Sequence, residues 1–418
     1  MNGMSAWTAT IGQMHQQFLG TREGRMNRKL RGFTASLERS DRLLLGSVGV
    51  LLFLGIFVVY GAGSYNRAAT TSPLGQNYII VKHLFMIGVG CVLMTGLMNF
   101  DYRWFRHRWF NWGGLLFSYG LVTWTLFIVR INAGGTDAIN RWVTIAGFSF
   151  QPVEIAKLAM IFFLAERLTS HGSGRRMTPR QLGAALALGP LPLLILLVLQ
   201  PNFGNAMVIV GVSLVLLFVS GVSQKWLTRA VAALSLVCVL GYLFIPKIHN
   251  RVEGVITGFR SGDFGYQVNQ SLIGLGGPGW RGAGVGQSHN KFSFLPDSHT
   301  DFAFSVLGEE WGLFGTLIVV GMLILFAWRG YGIAARAADP FGRLVASGLT
   351  TGIAIYGVAN IAMVTGIFPV VGVPLPFVSF GGTAMIAALA SVGVLLNIER
   401  GSRSYQVWKR RWDRSGTA

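Results

Sequence analysis

"LLGSVGVLLFLGIFVVYGA", residues 44–62, carries no charged side chain. As a helix it is about long enough to cross the roughly 30 Å hydrocarbon core of a bilayer. Irregular backbone facing lipid would leave N–H and C=O groups without partners, so the run reads as a transmembrane helix. Comparable runs recur near 78–99, 112–130, 153–169, 181–199, 205–221, 226–245, 302–328, 342–366 and 380–398. The expectation is an all-α polytopic membrane protein: a bundle of ten transmembrane helices over 44–398, with a cytoplasmic N-terminal extension (1–43) and a cytoplasmic basic tail (399–418).

The whole composition agrees. Of 418 residues, 52% are hydrophobic and only 12% charged, which excludes an ordinary soluble globule. Of the 35 Lys and Arg, 25 fall in the two terminal segments and alternate loops and eight in the opposite loops, leaving Lys82 and Lys157 inside spans. By the positive-inside rule both termini are expected in the cytoplasm. The net charge of +19 sits in short segments beside spans, a pattern for membrane lipids with anionic headgroups and not for nucleic acid. Cys91 and Cys238 both lie in apolar runs, so no disulfide framework is visible. Residues 1–25 are polar, without the apolar core of a cleavable signal peptide, and Met26 is an equal candidate start.

With that topology, three segments on the outer side hold the unusual residues: 131–157, 246–302 and 366–383. The longest is the extracytoplasmic loop 246–302 between helices 7 and 8. Its glycines allow close backbone approach, and its interleaved Tyr266, Leu272, Trp280 and Phe292 argue for a folded segment over a mobile one. It ends in "FLPDSHTDFAFSVLGEE", residues 294–310, where Asp297, Asp301, Glu309 and Glu310 make up a quarter of the chain's 16 acids. Pro296 suits the first turn of a helix, which would set Asp297 and Asp301 on one face, ionised by the helix dipole. Asp301 then reads either as a helix cap or as a catalytic base at the mouth of a membrane cavity. Glu309 and Glu310 fall deeper and should face the bundle interior.

Segment 131–157 contains "NRWVTIAGFSFQPVEIAK", with Glu154 and Lys157 three apart, a spacing that permits an intramembrane ion pair supporting helix packing. Arg141, just outside the membrane, is a candidate phosphate ligand. Segment 366–383 carries Pro369, Pro374 and Pro376, then Ser379, Gly381 and Gly382. Such backbone is tolerated at membrane depth only where protein or a cavity surrounds it.

Together these segments resemble the SEDS family of shape, elongation, division and sporulation proteins, which includes RodA, FtsW and SpoVE. The matching pieces are Arg141–Trp142, "QPVEIAK" at 151–157, "QPNFGNA" at 200–206, "GYQVNQS" at 265–271, "LPDSHTDF" at 295–302, "GEEWG" at 308–312 and "PLPFVSFGGTA" at 374–384. The tail "GIFPVVGVPLPFVSFGG" is closer to RodA than to FtsW. The resemblance implies a peptidoglycan glycosyltransferase that polymerises lipid II into glycan strands at the outer face of the bacterial cytoplasmic membrane, beside an elongation-type class B penicillin-binding protein. Its substrates would be lipid II and the undecaprenyl-diphosphate-linked glycan.

The family's essential aspartate falls on Asp301, which would take the proton of the attacking sugar hydroxyl. The transfer would invert the anomeric centre without a covalent intermediate. Arg141, Arg281 and Lys291 are candidates for the leaving diphosphate, Asp297 for tuning the base or binding a cation, and Ser379 for substrate contact. A divalent cation, Mg or Mn, fits the chemistry, but no ligand cluster for it stands out. Three positions depart from the usual pattern: Ser293 where an acid is common, Asn202 for Asp, and Phe380 for Tyr. The rival readings are a lipid II flippase, an FtsW-like division polymerase and a catalytically silent scaffold.

Overall fold

The structure is a computed structural model and describes residues 41–63, 75–132, 141–145, 148–170, 177–277, 279–288, 295 and 297–415. Each of the ten apolar runs is helical. In chain order these are α1 (Arg42–Gly63), α2 (Tyr78–Asn99), α3 (Arg108–Asn132), α4 (Pro152–Thr169), the pair α5 (Pro179–Leu188) and α6 (Pro190–Leu199), α7 (Phe203–Val219) and α8 (Gln224–Phe244). Two further helices, α9 (Pro246–Ser261) and α10 (Tyr266–Gly276), lead to α11 (Ala303–Ala335), α12 (Pro340–Val364) and α13 (Thr383–Ser415). Seven helices among the described residues are long and apolar enough to cross a membrane, counting α5 with α6, and α7 is a shorter apolar one. Helix α4 carries Glu154, Lys157, Glu166 and Arg167 within its 18 residues.

Proline sets many of the helix starts. Helices α4, α5, α6, α9 and α12 each have Pro at the first turn, where its missing N–H costs nothing and its fixed φ suits the helix. Pro190 also explains why the expected run 181–199 is two helices, because a mid-helix proline removes a hydrogen bond and clashes with the preceding turn. A small antiparallel hairpin, β1 (Val143–Ile145) with β2 (Phe148–Phe150), leads into α4.

The centre of the bundle is α12, packed against α11, α7 and α4, while α13 lies along α2. Helix α8 stands at the margin: none of its 21 residues is buried, and Leu236, Val237 and Phe244 point outward as lipid-facing side chains would.

Four expectations change. Loop 246–302 is helical through its first half, where α9 and α10 lie. The extension expected over 1–43 ends earlier: Asp41 is buried, accepts the N–H groups of Leu43 (3.1 Å) and Leu44 (3.0 Å), and pairs with Arg329, so it belongs to the bundle. The tail expected from 399 is instead a continuation of α13 to Ser415. Finally, α11 begins at Ala303, not at Pro296. The carbonyl of Asp297, a residue at φ +55, accepts the N–H groups of Thr300, Asp301 and Phe302, which makes 297–302 a tight turn before the helix.

Helix α11 breaks at Gly312 (φ 64, ψ −160), a conformation open to glycine alone among ordinary residues. The glycine-rich turn 279–284 fills the break. Ala283 and Gly284 donate to the carbonyls of Glu309 (2.8 Å) and Glu310 (3.1 Å), and Leu313 donates to Gly279 (3.1 Å). A Cβ on Gly282 would stand 2.2 Å from the Glu310 carbonyl oxygen.

Candidate active site

The turn 297–302 sits at the head of α11, beneath segment 366–383. Phe380 donates its N–H to the His299 carbonyl (2.9 Å), and Asn360 of α12 donates to the carbonyls of Asp301 and Val373, each at 2.7 Å. Gly372, at φ +66, runs so close to the turn that a Cβ there would lie 3.2 Å from Asp301 Oδ2. Asp301 is thereby half-buried. Loss of water pushes its carboxyl up to about 7, with the nearby charge of Asp297 adding to the rise and Arg141 opposing it. The dipole-ionised carboxylate expected from a helix start is therefore replaced by one poised near neutrality. His299, two residues away, is pushed below its usual range by burial, with Asp297 opposing.

Arg141 reaches the same place from the residues before β1. Its Nε and Nη2 donate to the carbonyls of Gln200 (3.2 Å) and Pro201 (2.8 Å), where the chain breaks between α6 and α7. Gln200 is itself held by the Val122 carbonyl (3.1 Å) and the Thr125 hydroxyl (2.6 Å). Burial, then the positive charge of Arg251, hold the Arg141 guanidinium below its ordinary value, while Asp301 works the other way. Lys247 is lowered by burial and by both Arg251 and Arg141. Lys247 and Arg251 stand four apart on α9, one face of one helix, where like charges repel unless an anion joins them. Sequence reasoning counted both merely as loop charges. Their i, i+4 spacing was a usable signal only once that stretch was known to be a helix.

The other candidates fall elsewhere. Arg281 is exposed in the turn that fills the break of α11. Lys291 lies outside the described residues. Asp297 is exposed at the turn's entry. Ser379 is buried, and its hydroxyl accepts the Leu375 N–H (2.9 Å). Glu309 and Glu310 are buried in α11, as expected of charges at that depth, and Ser288 donates to Glu309. Among the described residues no group of three His, Cys, Asp or Glu converges to hold a metal.

Glu154 and Lys157 form a buried ion pair at 2.8 Å. Tyr356 of α12 joins it, donating to Glu154 (2.8 Å) and bonded to Lys157 and to Asn205 of α7, so one polar hub ties three helices together. Beside it lies a cavity of about 60 Å³ bordered by Ser379, Pro374 and Ala384. Asp301 does not line this space, which is mainly apolar.

The family of cell cycle proteins that comprises FtsW, RodA and SpoVE matches residues 41–404. The chain belongs to the SEDS family. Among SEDS relatives, it is 34% identical to stage V sporulation protein E of Bacillus subtilis over 379 residues, covering 88% of this chain and 100% of that one. It is 33% identical to the peptidoglycan glycosyltransferase MrdB of Escherichia coli (86% and 94% covered) and 32% identical to a probable peptidoglycan glycosyltransferase FtsW of Trichlorobacter lovleyi (87% and 94%). Among solved structures it is similar to a chain of a peptidoglycan synthase complex that coordinates polymerization and crosslinking, with a TM-score of 0.65 at 26% identity, covering 87% of this chain and 98% of that one. It is also similar to the rod shape determining protein RodA of Thermus thermophilus, with a TM-score of 0.58 at 26% identity, covering 86% and 97%. The SEDS assignment thus rests on the whole bundle and not on one motif.

Proposed function

We propose that this SEDS peptidoglycan glycosyltransferase joins lipid II units into glycan strands, with Asp301 as general base and Arg141, Arg251 and Lys247 as the cradle of the leaving diphosphate. The observation that carries the reading is a half-buried carboxylate raised to about 7 beside Arg141, which in turn stands close enough to Arg251 and Lys247 of α9 for the three cations to repel one another, a repulsion that an anionic ligand would relieve. As the acceptor sugar hydroxyl attacks the anomeric carbon, its proton passes to Asp301. The bond from that carbon to the diphosphate oxygen breaks, and the charge developing on the oxygen meets the guanidinium groups. One displacement inverts the centre, so no covalent enzyme intermediate is needed. The raised value suits the base, because proton transfer is most effective when the catalytic group titrates near the working pH.

The charge distribution supports both termini in the cytoplasm and the site at the outer face. The likeness to a chain of a solved synthase complex supports a crosslinking partner, of class B penicillin-binding type, at the same membrane. The RodA-like stretch 366–382 supports a role in elongation.

The test is glycan-strand formation from labelled lipid II by the purified chain with its penicillin-binding partner, the partner's own active site being blocked. Native protein should make polymer and Asp301→Asn none. Polymer from both would remove Asp301 as the base. Polymer from neither, with lipid II moved across vesicle membranes, would establish the flippase reading instead.

A further inference from the structure

A carboxylate carried on a turn is only as well placed as the contacts that hold the turn. The turn of Asp301 is fastened from outside by a side chain that no motif singled out. Asn360, on α12, is fully buried, and its Nδ2 donates to the Asp301 carbonyl and the Val373 carbonyl, each at 2.7 Å. We propose that Asn360 is a positioning residue for Asp301, one carboxamide nitrogen clamping the turn 297–302 to segment 366–383 and so setting where the base stands against its cations. The inference rests on the reading of Asp301 as the base.

The chemistry of the clamp is specific. Two carbonyl oxygens from separate parts of the chain need two donors at one point, and a primary amide nitrogen has two N–H groups in a fixed plane. Aspartate would offer acceptors to acceptors, leucine would leave both carbonyls unpartnered, and alanine would leave a hole. The Asn360 oxygen has no partner among the described residues, so only the donor end is in use. The clamp is itself anchored. Four residues earlier, one turn along the same face of α12, Tyr356 is held by Glu154, Lys157 and Asn205. The position of α12, and with it the amide, is thereby tied to α4 and α7. On the other side of the clamp, the Phe380 N–H to His299 carbonyl bond holds the turn's middle, and Gly372 lets backbone come within reach of Oδ2.

With the clamp removed, the turn can move away from Gly372 and admit water to Asp301. Burial is the main reason its carboxyl titrates near 7, so a hydrated Asp301 would titrate lower. The charged groups facing Asp301 are Asp297 on its own turn and Arg141, with Arg251 behind it, and the one other titratable group of the turn, His299, is coupled to Asp297. Asn360 and Gly372, which α12 and segment 366–383 present to the turn, do not titrate. A movement of the acidic limb thus reports the environment of Asp301.

The experiment measures lipid II polymerisation across pH for native protein, Asn360→Ala, Asn360→Ser and Asp301→Asn, each with its penicillin-binding partner. Thermal unfolding and donor KM are measured alongside. A loosened base costs about a hundredfold in rate. Asn360→Ala is therefore expected to lose about that factor in kcat with KM little changed, and its acidic limb should move below that of the native protein. Asn360→Ser keeps one donor and should fall between. A native rate and limb in Asn360→Ala would overturn the proposal, as would a lower rate with the limb unmoved, the mark of a purely structural loss. If the alanine variant does not fold, the serine variant decides on the same two readouts. Asp301→Asn separates the two readings: polymer from it sinks the base itself, whereas inactive Asp301→Asn beside native-like Asn360 variants sinks only the clamp.

Discussion

Replacing Asp301 by Asn should make the protein more stable at alkaline pH while destroying its activity. The ordinary aspartate value is 3.8, and burial pushes this one up to about 7, so the folded state holds a proton that the unfolded chain releases. A group raised in this way helps the fold most below the unfolded value, and its contribution is lost as pH rises through the folded one. Above about pH 8 the full interval applies, and at 1.36 kcal/mol per decade the native protein bears a cost of about 4 kcal/mol, an upper bound because Asp301 is only partly shielded from water. At about pH 5 the folded carboxyl is still protonated, and the cost is only about 2 kcal/mol. Asparagine has the same shape and never ionises, so its advantage should widen by about 2 kcal/mol between those two conditions. Unfolding in detergent at both pH values, followed by tryptophan fluorescence or aggregation, measures it. A gap between variant and native protein that does not grow with pH would refute the burial of Asp301 and, with it, the reason to assign a base that titrates near neutrality.

Arg251→Ala should raise the KM for the diphosphate-linked donor by about tenfold, the value of one charge-assisted hydrogen bond, and an unchanged KM would remove α9 from the leaving-group site. Lys157→Met strands Glu154 inside the bundle and should lower stability by about 3–5 kcal/mol, much of which Glu154→Gln in the same chain should restore; a single variant no less stable than the double would contradict the ion pair. Gly372→Ala puts a Cβ on a left-handed residue 3.2 Å from Asp301 Oδ2, so a loss of about 1–2 kcal/mol and a lower polymerisation rate are expected from unfolding and strand assays.

The membrane helices were legible in the sequence because lipid leaves the chain few options: an apolar run of sufficient length must satisfy its own backbone, and only a helix does so within one segment. That argument located α1 to α4, α7, α8 and α12 within a few residues, and it anticipated the buried setting of Glu309, Glu310 and the Glu154–Lys157 pair. It failed where the backbone is not exposed to lipid. In 246–302 the polar, glycine-rich composition read as loop, yet α9 and α10 fold there because neighbouring helices give them partners, α8 for α9 and α11 for α10. Asp301 was found through a motif, but Asn360 was not, since an asparagine near the end of an apolar run has no periodic or charge signature.

What the sequence determined by itself is the class of protein, its helices and the candidate base, because hydrophobic length, charge asymmetry and short motifs are local properties. What only the tertiary structure decided is the state and surroundings of that base. Asp301 is raised to about 7 because segment 366–383, some 70 residues further along, covers it and Asp297 adds its charge, while Arg141, brought to it from 160 residues earlier, opposes the rise. Desolvation and Coulomb interaction depend on distance in space, which spacing along the chain does not encode.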